Sequence, residues 1–252
     1  MGSIWSVILR EHTKYKMESI ISCYFTSARD TQGREPIKQN DIDYIKTWYD
    51  SIIALDLQCV LFHDGFTQEF MDSFPKMRFM RVPPIPRGVQ LYDYRWPIYH
   101  AYLHRHDDIE NVFFTDASDV KVVKNPFTQP EYDKNTLYCG DEPERLNESK
   151  FMQVSLKDAE LQKLDGFKDI ITSDAVIYNA GVIGGSRLKV LEFTEKMSAL
   201  MGVIENRVID GTVDMPPFNY ILHRYFKPVH GFPVNSVFKG YEDRNDVWFI
   251  HK

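Results

Sequence analysis

The segment Val112-Phe113-Phe114-Thr115-Asp116-Ala117-Ser118-Asp119-Val120 is an apolar run that ends in two acids three residues apart, then turns apolar again through Val123. The run predicts a buried strand. Carboxylates at the carboxyl end of a central strand stand where an open α/β sheet binds its ligand. Two acids on one short turn are costly to bury alone, since desolvating an unpaired carboxylate costs about several kcal/mol. A divalent cation held together with a diphosphate removes that cost. The chemistry open to Asp116 and Asp119 is therefore metal-assisted handling of a nucleoside diphosphate. The plainer alternative is a pair of Asx-turn residues closing a strand. Ser118, between them, could contact the nucleotide or only shape the turn.

Other residues could join this pair. His251 follows the apolar Val247-Trp248-Phe249-Ile250, so a strand could deliver it as a third metal ligand, and Lys252 beside it could meet the diphosphate. Asn179-Ala180-Gly181 and Gly184-Gly185 would let a ligand approach the backbone, with the Asn179 amide able to donate and accept. Their spacing is not that of a dinucleotide fingerprint, and taken alone they read as a tight turn before a helix. Asp214 precedes a helix that contains Asn219; it is either a helix cap or a contact to a sugar or acceptor hydroxyl. Arg95 could touch a phosphate or base, or pair with an acid. Asp141 and Glu142 are carboxylates that could act as a general base. His104, His106, Asp107 and Asp108 look metal-like but sit where a helix ends, and a structural role fits them better.

The elements that must position these residues follow from periodicity. Strands are predicted at 19–25, 58–62, 77–82, 112–115, 137–140 and 175–178, with short strands closing the chain. Helices are predicted at about 41–55, 67–74, 92–105, 188–205 and 218–224. In the first of these, Ile42, Ile45, Trp48, Tyr49, Ile52 and Ile53 recur at helical spacing, and Asn40 or Asp41 can cap it. The opening β-α-β-α-β alternation implies a parallel sheet in three layers. Pro97 is expected near the first turn of its helix. Residues 143–172 are polar and poorly periodic, and read as a flexible flap with a short helix. Residues 1–18 read as a leader outside the core. Residues 19–252 read as one domain, with a nucleotide-binding half (19–125) and an acceptor and donor-sugar half (126–252).

Composition narrows the function class. A net charge of −6 argues against a general nucleic-acid binder, which needs a basic face. No run of 18 apolar residues exists, so no membrane span is expected. Three dispersed cysteines show neither a CxxC pair nor zinc spacing, which implies buried thiols in a reducing compartment, hence the cytoplasm. Aromatic residues make up 14%, which suits a packed core and also a groove with flat faces for carbohydrate.

Taken together, these segments resemble the GT-A-type glycosyltransferases. The resemblance implies an α/β, Rossmann-like single domain with a mixed, mostly parallel central sheet flanked by helices. It implies Mn2+ or Mg2+, a UDP-sugar donor and a glycan acceptor. Asp116-Ala117-Ser118-Asp119 stands where the family has its DxD motif, but as DxxD, which leaves open which acid ligates directly. The stretch Asn179 to Gly185 looks like the segment lining the donor-sugar pocket, so Asn179, Gly181 and Asp214 would face the sugar. Asp214 with Asn219 resembles the family's helix start in retaining members, with Met215 in place of the usual Gln. His251 looks like the histidine that completes the metal site with Asp116 and Asp119. Thr26 and Arg29, after the first strand, would hold the uridine side with Arg95.

The opening Ser22-Cys23-Tyr24-Phe25-Thr26-Ser27-Ala28-Arg29-Asp30 is also similar to the N-terminal transferase domains of multidomain glycosyltransferases of chloroviruses, large DNA viruses of algae. That implies UDP-L-rhamnose as donor, a glycan of the viral capsid protein as acceptor, and the host cytoplasm as location. Retention of configuration is expected by resemblance; Asp214, Asp141 or Glu142 would be the base if transfer inverts. The rivals are a sugar-nucleotide nucleotidyltransferase and a glycan-binding module without chemistry. The first wants a glycine-rich basic loop after the first strand, which Thr26 to Pro36, with one Gly and two Arg, matches poorly.

Overall fold

Alternation along each strand, apolar on both faces, produces a sheet covered by helices on both sides. The computed structural model describes residues 17–27, 37–86, 89–204 and 214–252. Its main sheet has seven strands in the order β3-β2-β1-β4-β7-β6-β8. They are β1 (Met17–Tyr24), β2 (Gln58–His63), β3 (Met77–Arg81), β4 (Ile109–Thr115), β6 (Leu137–Arg145), β7 (Val176–Ser186) and β8 (Val229–His230). β1 to β4 are mutually parallel; β7 runs antiparallel to both β4 and β6; β8 is parallel to β6. The protein is thus an α/β domain of Rossmann-like architecture with a mostly parallel sheet, and one sheet runs through both halves of the chain. β1 begins at Met17, two residues before the boundary read from the sequence.

The two faces separate cleanly. Ile21, Val60, Phe62, Val112 and Phe114 face a core shared with α3 (Leu91–Arg105), α6 (Arg187–Ile204) and α7 (Met215–Ile221). Their odd-step neighbours Ile20, Cys59, Leu61 and Phe113 face a second core built on α1 (Ile42–Ile53), α2 (Gln68–Asp72) and the aromatic pair Trp248 and Phe249. α1 presents Ile45, Trp48, Tyr49 and Ile52 to that core, and the Asp41 side chain caps it by accepting from the Asp43 N–H. The Trp48 indole N–H donates to the Thr115 hydroxyl at 2.7 Å, tying α1 to the end of β4. Pro97 lies inside α3, beyond its first turn.

Two further expectations need correction. The stretch from Asn179 to Gly185 is not a turn but part of the eleven-residue strand β7. Small residues are required there by packing: a Cβ on Gly184 would stand 2.3 Å from the Phe113 ring and 2.5 Å from the Val112 carbonyl oxygen. Residues 143–172 are not a loose flap. β6 extends to Arg145, and α4 (Lys150–Val154), two single-turn 3-10 helices and α5 (Phe167–Ile171) follow. Leu146, Met152, Phe167 and Ile171 from this stretch are fully buried. Helices of one or two turns are too short to show a period, which is why the sequence looks patternless. Asn219 is also fully buried. Its amide accepts from the Tyr178 N–H at 2.8 Å and donates to the Tyr178 carbonyl at 2.9 Å, so it pairs with the backbone of β7 and not with a ligand.

The Gly184 contact carries a prediction. Gly184→Ala must displace Phe113 or the β4 backbone, and is expected to destabilise the domain by about 1–3 kcal/mol or more. Urea unfolding of both proteins measures it; equal midpoints would mean that β4 and β7 are not packed this closely.

Candidate functional site

Two short strands, β5 (Val120–Val122) and β9 (Phe249–His251), complete the site. They pair antiparallel, with Val120 opposite His251 and Val122 opposite Phe249. The Lys252 N–H donates to the Asp119 carbonyl at 3.0 Å and continues the pairing. Because Val120 directly follows the acid turn, this register sets His251 beside Asp119. The turn itself is anchored by the Asp116 N–H, which donates to the Gly181 carbonyl of β7 at 3.0 Å.

Asp116, Asp119 and His251 offer ligand atoms that all lie within 4.8 Å of one another. His251 Nε2 stands 3.8 Å from Asp119 Oδ2. That is too long for a hydrogen bond, but two ligands each ~2.1 Å from one ion can be up to ~4.2 Å apart. Three features prepare the histidine. Its backbone N–H is held by Ser236 Oγ at 3.1 Å, and Phe238 packs on the ring at 4.5 Å between centroids. Gly181 leaves the ring its seat, since a Cβ there would stand 2.3 Å from His251 Cε1. Burial, countered in part by Asp116, lowers the His251 pKa to about 4, so the imidazole is neutral at pH 7 with a lone pair to give. Its Nδ1 is buried without a hydrogen-bond partner. Two carboxylates and one neutral imidazole suit a divalent ion, and the mixed O and N set favours Mn2+ over Mg2+.

Behind this group sits an ion-pair clamp. Arg95, on α3, donates from Nη1 to Asp116 Oδ1 at 2.8 Å and from Nη2 to Asp214 Oδ2 at 2.6 Å. Arg95 and Asp214 side chains are almost fully buried, while Asp116 is 35% exposed. Burial pushes the Asp214 pKa up, and Arg95 opposes that shift. Asp214 is at the start of α7 but makes no side-chain cap bond. The cap role does not hold for it; its carboxylate binds Arg95 and lines the cleft. Arg95 in turn acts on the acids, with both terminal nitrogens engaged.

These residues line a cleft of about 370 Å³, together with Tyr92, Glu142, Glu144, Phe151, Asn179, Phe238 and Lys239. Asn179 is on the wall as expected, but its amide is committed: it donates to Glu142 Oε1 at 2.7 Å and accepts from the Gly181 N–H at 2.7 Å. Asp141 is not on the wall. Successive strand residues point to opposite sides, so Asp141 meets His230 Nδ1 at 2.8 Å and Asn235 Nδ2 at 3.0 Å, and Glu142 faces the cleft instead. Burial raises the Glu142 pKa, and the Asn179 bond counters it.

Thr26 is also absent from the wall. Its N–H and hydroxyl bind the Asp64 carboxylate, which also accepts from the Ser27 N–H at 2.7 Å and so locks the β1 and β2 ends together. Ser118 is off the wall as well; it donates to Asp119 Oδ1 at 3.2 Å and hydrogen-bonds the Tyr44 side chain. The Lys252 side chain is exposed and off the wall. Arg29 lies outside the described residues. His106 stands 3.6 Å from Asp108 at the end of α3, in keeping with a structural role.

The sequence reading missed Tyr92, Glu144, Phe151, Phe238 and Lys239. Glu144 was legible as the same-face neighbour of Glu142; Phe238 and Lys239 lie in an irregular stretch with no periodic signal. A larger groove of about 850 Å³ opens at the amino end of β4, lined by Glu110, Lys134 and Lys189 among others, but no metal-ligating group forms there among the described residues. No helix among the described residues is long and apolar enough to cross a membrane, and the three cysteines are free thiols.

Two predictions follow from the histidine seat. Gly181→Ala forces the imidazole aside and is expected to weaken Mn2+ binding by about tenfold or more. Electron paramagnetic resonance titration of free Mn2+ measures it, and unchanged affinity would remove His251 from the ligand set. In the metal-free protein, His251 contributes stability that is complete above its unfolded pKa of 6.5 and is lost as pH falls toward about 4. The unfolded chain takes up a proton in that window and the folded chain does not, which is worth on the order of 3 kcal/mol. Unfolding at about pH 7 and about pH 4.5 in EDTA should show a steeper loss for wild type than for His251→Asn. Parallel losses would mean that the folded ring protonates freely.

No protein-family model matches the chain, and no curated protein matches it.

Proposed function

We propose that the protein is a divalent-metal-dependent glycosyltransferase that takes a sugar from a UDP-sugar and passes it to a glycan acceptor. The observation that carries this reading is the convergence of Asp116, Asp119 and neutral His251 within one ion's reach, at the carboxyl end of β4 and beside an acid-lined recess. In open α/β sheets that edge is where nucleotides bind. A nucleoside diphosphate supplies the phosphate oxygens that such an ion needs beyond three protein ligands.

Within this reading each group has a task. Asp116, Asp119 and His251 hold the metal, Mn2+ before Mg2+; once bound, it supplies Lewis-acid stabilisation of charge on the departing diphosphate. Arg95 holds the Asp116 carboxylate aimed at the ion. Asn179 holds Glu142 against the recess, where its second oxygen can accept from a sugar or acceptor hydroxyl. Phe151 and Phe238 offer apolar faces to a pyranose ring. The choice of uridine, of L-rhamnose as the sugar, and of a viral capsid glycan as acceptor rests on the family resemblance. So does transfer with retention in the cytoplasm, for which the free thiols are additional support.

Calorimetric titration of UDP with Mn2+ and then with EDTA tests the reading. Binding that needs Mn2+, and is abolished together with turnover in Asp119→Ala at unchanged circular dichroism, is the expected result. Equal binding in EDTA, or full activity of Asp119→Ala, would sink it. Proton NMR of the product anomer then decides between retention and inversion.

A further inference from the structure

Among the described residues two cations line the cleft, Arg95 and Lys239, and they differ in how far they are already engaged. Arg95 is held by Asp116 and Asp214. Lys239 forms no hydrogen bond or ion pair with any described residue. Its ammonium stands over the Phe238 ring, 5.0 Å from the centroid, and that ring packs on His251 at 4.5 Å. Lys239 is therefore carried on a platform that leans against the proposed metal ligand.

The backbone is consistent with a side chain held for a purpose. Lys239 has φ 59°, in the left-handed region, which a non-glycine residue adopts only against steric strain. Gly240 follows immediately, and its N–H closes the turn on the Val237 carbonyl at 2.9 Å. Glycine would adopt the conformation of residue 239 without strain, yet a lysine occupies it.

The charge of the wall makes this cation matter. Among the described residues, the carboxylates of Asp116, Asp119, Glu142, Glu144 and Asp214 on this wall are accompanied by two cationic side chains, Arg95 and Lys239. A divalent ion leaves the wall still negative. A diphosphate entering it needs a protein cation in direct contact, and a lysine ammonium is a compact donor for phosphate oxygens.

We propose that Lys239 is the cation that contacts the diphosphate of the bound nucleotide, beside the Asp116, Asp119 and His251 group, in the place where the sequence suggested Lys252. The inference rests on the nucleotide-sugar reading of the cleft and adds the residue that holds the phosphates.

Titrations of UDP, pyrophosphate and uridine in the presence of Mn2+, and of Mn2+ alone, test it on the wild-type chain, Lys239→Met, Lys239→Arg and Lys252→Met. Lys239→Met should weaken UDP and pyrophosphate alike by about tenfold or more, the worth of a charge-assisted hydrogen bond. Uridine and free Mn2+ should change by less than about twofold. Lys239→Arg should recover most of the loss, and Lys252→Met should match wild type. If Lys239→Met binds both phosphates as wild type does, or if Lys252→Met shows the same loss, the assignment of Lys239 is overturned and the cleft remains a nucleotide site. If wild type binds neither UDP nor pyrophosphate with Mn2+, the nucleotide-sugar reading falls and this assignment with it.

Discussion

The buried guanidinium of Arg95 is the interaction on which the site depends. It draws together three elements far apart in the chain: α3, the turn after β4, and the start of α7. Asp214 is buried to 2% exposure and could not stay ionised there alone. Removing one partner from such a pair typically costs about 3–5 kcal/mol, since the remaining charge is left in a poorly solvated place. The arrangement is asymmetric: one acid is sealed in, while the other keeps an edge toward the cleft. A structural ion pair thereby aims a carboxylate that is free to meet a cation.

The reversed strand β7 is the second constraint. It sits in the middle of the sheet between β4 and β6, and its small residues admit neighbours that larger ones would exclude. Gly184 admits the Phe113 ring, and Gly181 admits the imidazole of His251. Asn179 and Asn219 then satisfy backbone groups where β7 leaves regular pairing; β6 is bulged at Cys139 and Gly140 at that level. The cleft is thus a by-product of how β7 packs, and its most prominent sequence signal, the run of small residues, reflects side-chain packing more than contact with a ligand.

Much of this was legible in the chain. Helix α1, the alternating opening strands and the acid-ended β4 follow from apolar periodicity, and the parallel sheet follows from their order. Asp116, Asp119, Gly181, Asn179, Arg95, Asp214 and His251 were singled out from residue type and position, and all line one cleft. Their tasks were harder to read. Asp141 and Glu142 are adjacent and chemically alike, and only the strand's direction sends one to His230 and the other to the cleft. Lys252 adjoins His251 in sequence, yet Lys239 shares its wall.

The amino-acid sequence by itself determined the α/β architecture, the acid turn at a strand end, and the supply of a late histidine, because apolar periodicity and local turn chemistry act over a few residues. Tertiary structure alone decided that Arg95 binds acids, that Gly181 makes room for a ring, and that Val120 pairs with His251. These depend on contacts between residues distant in the chain, and no local pattern encodes which distant partner a charge or a vacant Cβ position will meet.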